Sequence, residues 1–211
     1  MSAFDCIIWD WNGTLIDDLD IAVGAVNDTL DLYGMPHIGR KEYYSFMRSD
    51  IRTFYSFLFD YEKVPYETLT AHFSRFYDER IASAHLMKNA EETLKRVKEK
   101  GVLQVIVSAS HIDKVVRDTA HFAIDGYFDE ILAASDNLVN SKIDRAAQFL
   151  KRRNIQPNRA LVVGDLLHDM EMAQAIGAQC VLIPNGHQPK ALHEKAGAAV
   201  LNDISMVPDM I

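Results

Sequence analysis

The 211-residue sequence predicts an α/β fold: a doubly wound parallel sheet with an α-helical domain inserted after its first strand. Three observations predict it. Short apolar runs recur along the chain, amphipathic stretches separate them, and one long segment has helical patterning without a convincing strand.

The first run is Phe4–Trp9 (FDCIIW), closed by Asp10 and the turn pair Asn12-Gly13. Similar runs follow at Val102–Val107, Ala160–Val163, Cys180–Ile183 and Ala198–Leu201. None alternates apolar with polar residues, as expected of parallel strands buried on both faces. Between them, Ala90–Lys100 places Leu94 and Val97 on one helical face and stops at Gly101. Ser141–Asn154 and Asp169–Ile176 repeat that pattern, the latter ended by Gly177. Strand, helix and strand at this spacing read as βαβ units.

The segment without a strand runs from about Asp17 to His85 and holds 13 of the chain's 20 aromatic residues. It is expected to be a helical insertion with its own aromatic core, leaving 1–16 and 86–211 as the α/β unit. Extra helices laid directly on the sheet are the plainer alternative.

In doubly wound sheets ligands bind beyond the carboxyl ends of the strands. Those ends carry Asp10-Trp11-Asn12-Gly13-Thr14, Ser108-Ala109-Ser110 and Gly164-Asp165-Leu166-Leu167-His168-Asp169, with Lys142 opening a helix nearby. Three carboxylates gathered in one crevice repel each other, and Mg2+ is a natural neutraliser because it favours hard oxygen ligands. A lysine and a serine hydroxyl beside backbone N–H groups suit a phosphate.

With DWNGT (Asp10–Thr14), Ser108 after an apolar run, Lys142 and GDLLHD (Gly164–Asp169) in this order, the chain resembles the haloacid dehalogenase-like superfamily. It is similar to the phosphoglycolate-phosphatase-like group with a helical cap after the first strand. Each motif alone is weak; the four together, in order, span essentially the whole chain. The resemblance implies a phosphatase in which Asp10 is the nucleophile and forms an aspartyl-phosphate. It implies Mg2+ held by Asp10, the main-chain carbonyl of Asn12 and Asp165, with Asp169 a ligand or just behind one. Thr14, Ser108, the Ala109 N–H and Lys142 are implied as phosphate-binding groups.

Position 12 departs from the family pattern, which carries there a second Asp that protonates the leaving group. The amide of Asn12 has no such proton, so general acid–base help of ~10²–10⁴-fold is missing from that position. Three readings follow: a substrate such as an acyl phosphate or a phosphonate whose leaving group needs little protonation, a proton from His168 or a residue of the cap, or a weakened protein kept for binding. A dehalogenase is disfavoured by the acidic Gly164–Asp169 loop. A phosphonatase would want a cap lysine, for which only Lys41 and Lys63 are available.

Other features carry less. Arg48 and Arg52, spaced i, i+4, could meet an anionic substrate or simply lie on the surface. Trp11 could wall the site while Trp9 points away from it, and Pro184-Asn185-Gly186-His187 borders the same rim. Cys6 and Cys180 sit in apolar runs and are expected to be buried thiols rather than a disulfide, which fits a cytoplasmic location. No apolar run approaches the ~20 residues of a membrane span. The net charge of −8 disfavours a nucleic-acid partner. Asp17–His85 contributes −5 of that charge and the remainder −3. The expected partner is a small phosphorylated metabolite.

Overall fold

The computed structural model describes residues 3–47, 51–135, 141–184 and 186–211. In chain order the elements are β1 (Cys6–Trp9), β2 (Ile16–Asp17), α1 (Leu19–Asp31), α2 (Arg40–Phe46), α3 (Ile51–Ser56), α4 (Tyr66–Arg80) and β3 (His85–Leu86). They continue with α5 (Ala90–Glu99), β4 (Leu103–His111), α6 (Ile112–His121), β5 (Glu130–Ala134), α7 (Lys142–Arg152), β6 (Ala160–Gly164), α8 (Leu167–Ile176), β7 (Gln179–Leu182) and α9 (Lys190–Lys195).

Five strands form one parallel sheet in the order β5-β4-β1-β6-β7. Their side chains alternate between two apolar layers. Cys6 and Ile8 of β1, Val105 and Val107 of β4, and Ala160 and Val162 of β6 face one layer with Phe149 and Met172. Ile7, Trp9, Ile106, Leu161 and Val163 face the other, with Leu94 and Val97 of α5. Period-two alternation with both faces covered explains the unbroken apolar runs.

Two expectations about strands are corrected. Ala198–Leu201 is not a sheet strand: Val200 makes one isolated bridge to Leu182. The fifth place belongs to Glu130–Ala134, a half-buried edge whose pattern is too weakly apolar to stand out. In addition, β4 runs past Val107 to His111, with a register shift between those two residues, and His111 caps α6.

The helical segment is bracketed by a small ladder in which Ile16 pairs with Leu86 and Asp17 with His85, antiparallel, where no strand was expected. Both ends of the insertion are thereby tied together. Within it Leu30, Tyr43, Phe54, Tyr55, Phe59 and Leu69 form an apolar cluster separate from the two sheet layers. Edge-to-face contacts such as Phe54–Tyr55, with centroids 5.3 Å apart, account for its aromatic content.

Candidate active site

The strand ends converge as the doubly wound topology requires. β1 and β6 are neighbours, so Asp10 and Asp165 follow directly from adjacent strands. Asp169 enters from the first turn of α8, where its Oδ2 accepts from the Leu166 N–H, at the start of that helix, at 3.1 Å. Lys142 is the first residue of α7, capped by Ser141, whose side chain accepts from the Asp144 N–H.

Lys142 Nζ donates to Asp10 Oδ1 and to Asp169 Oδ1, both at 2.6 Å, and all four of Asp10, Asp165, Asp169 and Lys142 are buried. One ligand oxygen from each of the three carboxylates lies within 4.8 Å of the others. Burial raises the Asp10 carboxyl above its usual range, with Asp169 adding to the rise and Lys142 opposing it. Asp165 is raised too, by burial first and by the charges of Asp10 and Asp169. Burial opposes the Lys142 charge, but its two carboxylate partners outweigh that and raise its pKa.

Glycines make the crowding possible. A Cβ on Gly13, which has φ of +71°, would lie 2.3 Å from Asp165 Oδ2. One on Gly186 would lie 2.1 Å from the same oxygen, and one on Gly164 would lie 2.2 Å from Asp169 Oδ2. A single lysine against three buried carboxylates leaves negative charge uncompensated, and the donors are hard oxygens in a cradle closed by glycine backbone. The residues therefore fit a Mg2+ ion.

The expected phosphate groups fall in place unevenly. Ser108 is buried and its Oγ accepts from the Ser110 N–H at 3.1 Å, while its carbonyl accepts from Arg145. Ala109 lines a cavity in front of the strand ends. Thr14 Oγ1 donates to Asp165 Oδ1 at 3.1 Å, so its hydroxyl is engaged with a carboxylate.

Asn12 is locked in a network that sequence reasoning missed. Its Nδ2 donates to Asp18 Oδ2 and to Tyr77 Oη, both at 2.8 Å, and its Oδ1 accepts from Ser110 Oγ at 2.8 Å. Asp18 accepts further bonds from Tyr77 Oη at 2.7 Å and the Gly13 N–H at 2.8 Å. His187 Nε2 lies 3.1 Å from Asp18 Oδ1, its Nδ1 2.9 Å from Tyr43 Oη, and its backbone N–H donates to Asp165 Oδ2 at 2.6 Å. Burial alone would raise Asp18, yet His187 and the donors around it hold it below the usual carboxylate range. Burial likewise works against the His187 charge, but Asp18 overrides it and raises the imidazole to about 9.

Other candidates are settled by position. Trp11 is buried in the apolar layer, not on the cavity wall, and Trp9 donates from Nε1 to Gln104 at 3.1 Å. His168 does line the cavity, 3.3 Å from Glu171, but His187 is far better buried. Arg52 pairs with Glu67 and lies over the Tyr66 ring, 4.4 Å from its centroid, away from the cavity. Arg48 and Asn185 lie outside the described residues. Neither Lys41 nor Lys63 is among the described cavity residues. Cys6 and Cys180 are free thiols, the first buried and the second half-buried.

A parallel sheet with a helical insertion after β1 and an acidic, lysine-bridged crevice at its carboxyl edge defines a hydrolase of the phosphate-handling α/β class. Residues 7–183 match the haloacid dehalogenase-like hydrolase family, and the chain belongs to it, in the phosphoglycolate-phosphatase-like group. It is a phosphatase by class. The chain is 24% identical to a phosphoglycolate phosphatase of Rhodobacter capsulatus over 210 residues, covering 97% of this chain and 95% of that one. It is also 24% identical to phosphoglycolate phosphatase 1 of Pseudomonas aeruginosa, over 94% of this chain and 76% of that one. Among solved structures, a haloacid dehalogenase-like family hydrolase from Streptococcus pneumoniae shares the fold with a TM-score of 0.86 at 20% identity, over 98% of both chains. CbbY from Rhodobacter sphaeroides, in complex with phosphate, superposes with a TM-score of 0.77 at 19% identity, over 97% and 96% of the two chains.

Proposed function

We propose that this chain hydrolyses a small phosphorylated metabolite in a Mg2+-dependent reaction through an aspartyl-phosphate on Asp10. The observation that carries the reading is the buried cluster in which Lys142 bridges Asp10 and Asp169 at 2.6 Å beside Asp165. An Asp10 oxygen attacks phosphorus as the bond to the leaving oxygen breaks; water then attacks the same phosphorus, releasing phosphate and restoring the carboxylate. Lys142 holds Asp10 in place and, with Ser108 and the Ala109 N–H, receives the phosphoryl oxygens. Asp10, Asp165 and the Asn12 carbonyl would hold Mg2+, with Asp169 as a ligand or behind one. When bound, the ion supplies positive charge against both the nucleophile and the transferring group.

The helical segment, taken as residues 17–85, acts as a cap that closes over the crevice and excludes water. Its connections are the paired strands β2 and β3, which suits a cap moving on two linked hinges.

A second reading rests on Asn12. Because its amide is fully occupied by Asp18, Tyr77 and Ser110, no acid acts from that side chain, which favours leaving groups that depart without a proton, such as the carboxylate of an acyl phosphate. A regulatory protein on the same scaffold is the competing class. Phosphate release from a panel of phosphomonoesters and acyl phosphates, with Mg2+ and with chelator, separates these. Chelator-sensitive release supports the phosphatase; release from acyl phosphates alone supports the second reading; phosphate binding without any release supports regulation.

A further inference from the structure

A cavity of about 560 Å3 lies between the helical insertion and the strand ends, large enough for a small organic ligand. It reaches the strand ends at Asn12, Ala109 and Ser110, two of which, Asn12 and Ala109, belong to the proposed site, so the cavity is placed to receive a group esterified to a phosphoryl on Asp10. The wall given by the insertion includes Ala22, Tyr43, Met47, Ile51, Phe73 and Tyr77. The two tyrosine hydroxyls are already engaged, Tyr43 with His187 at 2.9 Å and Tyr77 with Asp18 at 2.7 Å. Asp18 and Ser74, also on that side, are bonded to His187 at 3.1 Å and to Lys114 at 2.8 Å, so most of what remains for a ligand there is carbon.

The basic side chains on the wall are engaged as well. Among the described residues, Lys114 meets Asp78 and Ser74, each at 2.8 Å. His187 meets Asp18 at 3.1 Å, His168 meets Glu171 at 3.3 Å, and His111 lies 3.6 Å from Asp113. A second anionic group on the substrate would leave water for a wall whose basic side chains already have partners, which is costly without a new one. A neutral apolar body would instead gain from burial against the side chains of Met47, Ile51 and Phe73.

We propose, building on the phosphatase reading above, that this cavity selects substrates whose leaving group is neutral and apolar-bodied, an aromatic ring or short aliphatic chain. It rejects leaving groups that carry a second anion, such as the carboxylate of phosphoglycolate.

Two non-hydrolysable probes test this on the wild-type chain with Mg2+: phenethylphosphonate and phosphonopropionate. They share phosphonate and linker and differ in ending on a phenyl ring or a carboxylate. By calorimetry the phenyl probe is expected to bind ~10–200-fold tighter, the range a few apolar contacts supply. Equal or tighter binding of phosphonopropionate, or no binding of the phenyl probe where inorganic phosphate binds, overturns the proposal. Ile51→Lys adds a cation at an exposed wall position and is expected to narrow the ratio about tenfold, as a charge-assisted partner for the carboxylate would; an unchanged ratio overturns the placement of the leaving group here. Turnover reports separately on the underlying reading. A chain that keeps the phenyl preference but releases phosphate from nothing upholds the selectivity and sinks the hydrolysis. One that hydrolyses phosphoglycolate faster than phenethyl phosphate upholds the hydrolysis and sinks the selectivity.

Discussion

Asn12 donates from Nδ2 to Asp18 Oδ2 at 2.8 Å, so the carboxylate missing from position 12 stands one hydrogen bond away, at the start of α1. Asn12 is thus the donor that a buried carboxylate requires. Exchanging it for Asp alone places two carboxylates in contact and removes both Nδ2 donors. Asn12→Asp is expected to lower stability by about 1–3 kcal/mol and to leave turnover without a large gain. The exchange Asn12→Asp/Asp18→Asn restores a donor–acceptor pair and is expected to recover stability and exceed the single variant in turnover. Urea midpoints and phosphate release across the three proteins check this; a gain above tenfold in the single variant would contradict it.

Lys142 bridges two buried carboxylates, Asp10 and Asp169, beside a third, Asp165. Removing one member of a buried charge cluster leaves the others uncompensated, at a cost of about 3–5 kcal/mol. Lys142→Ala is therefore expected to be destabilised by that amount in chelator and to recover part of it with Mg2+. Denaturant midpoints with and without the ion measure both; a variant equally stable in the two conditions would count against a cation site here.

His187 supplies a pH signature. Its ring faces Asp18, Tyr43 and the charges of Asp165 and Asp10, and its pKa is raised from 6.5 to about 9. A raised folded value means the ion pair stabilises fully below the unfolded pKa and fades as pH rises through about 9. In metal-free protein, the stability gap between wild type and His187→Gln is expected to be on the order of 2–3 kcal/mol near pH 6 and to close by about pH 10. A gap independent of pH would show that His187 contributes packing rather than charge.

The parts of the site legible in the sequence are those fixed by strand topology. Asp10, Ser108 and Asp165 follow apolar runs, and adjacent parallel strands bring such ends together whatever lies between them. Asp18 was invisible for a physical reason. An Asp before an apolar helix reads as an N-cap, and Asp18 does occupy that position, but its carboxylate turns back to Asn12, Gly13, Tyr77 and His187 instead of capping. Tyr43 and Tyr77 were hidden likewise: their rings serve the aromatic core of the insertion, while their hydroxyls reach the site. His187 was within reach, as the end of a turn after an apolar run. The edge strand Glu130–Ala134 was missed because a half-buried edge lacks the apolar signal of a central strand.

If Asp10 is the nucleophile, its loss must remove turnover, measured for Asp10→Asn with Mg2+ on a substrate the wild type hydrolyses and with folding verified by circular dichroism. A loss of at least ~10³-fold is expected, the scale seen when a covalent nucleophile is removed. Activity within about tenfold of wild type would contradict it and move the chemistry to another residue.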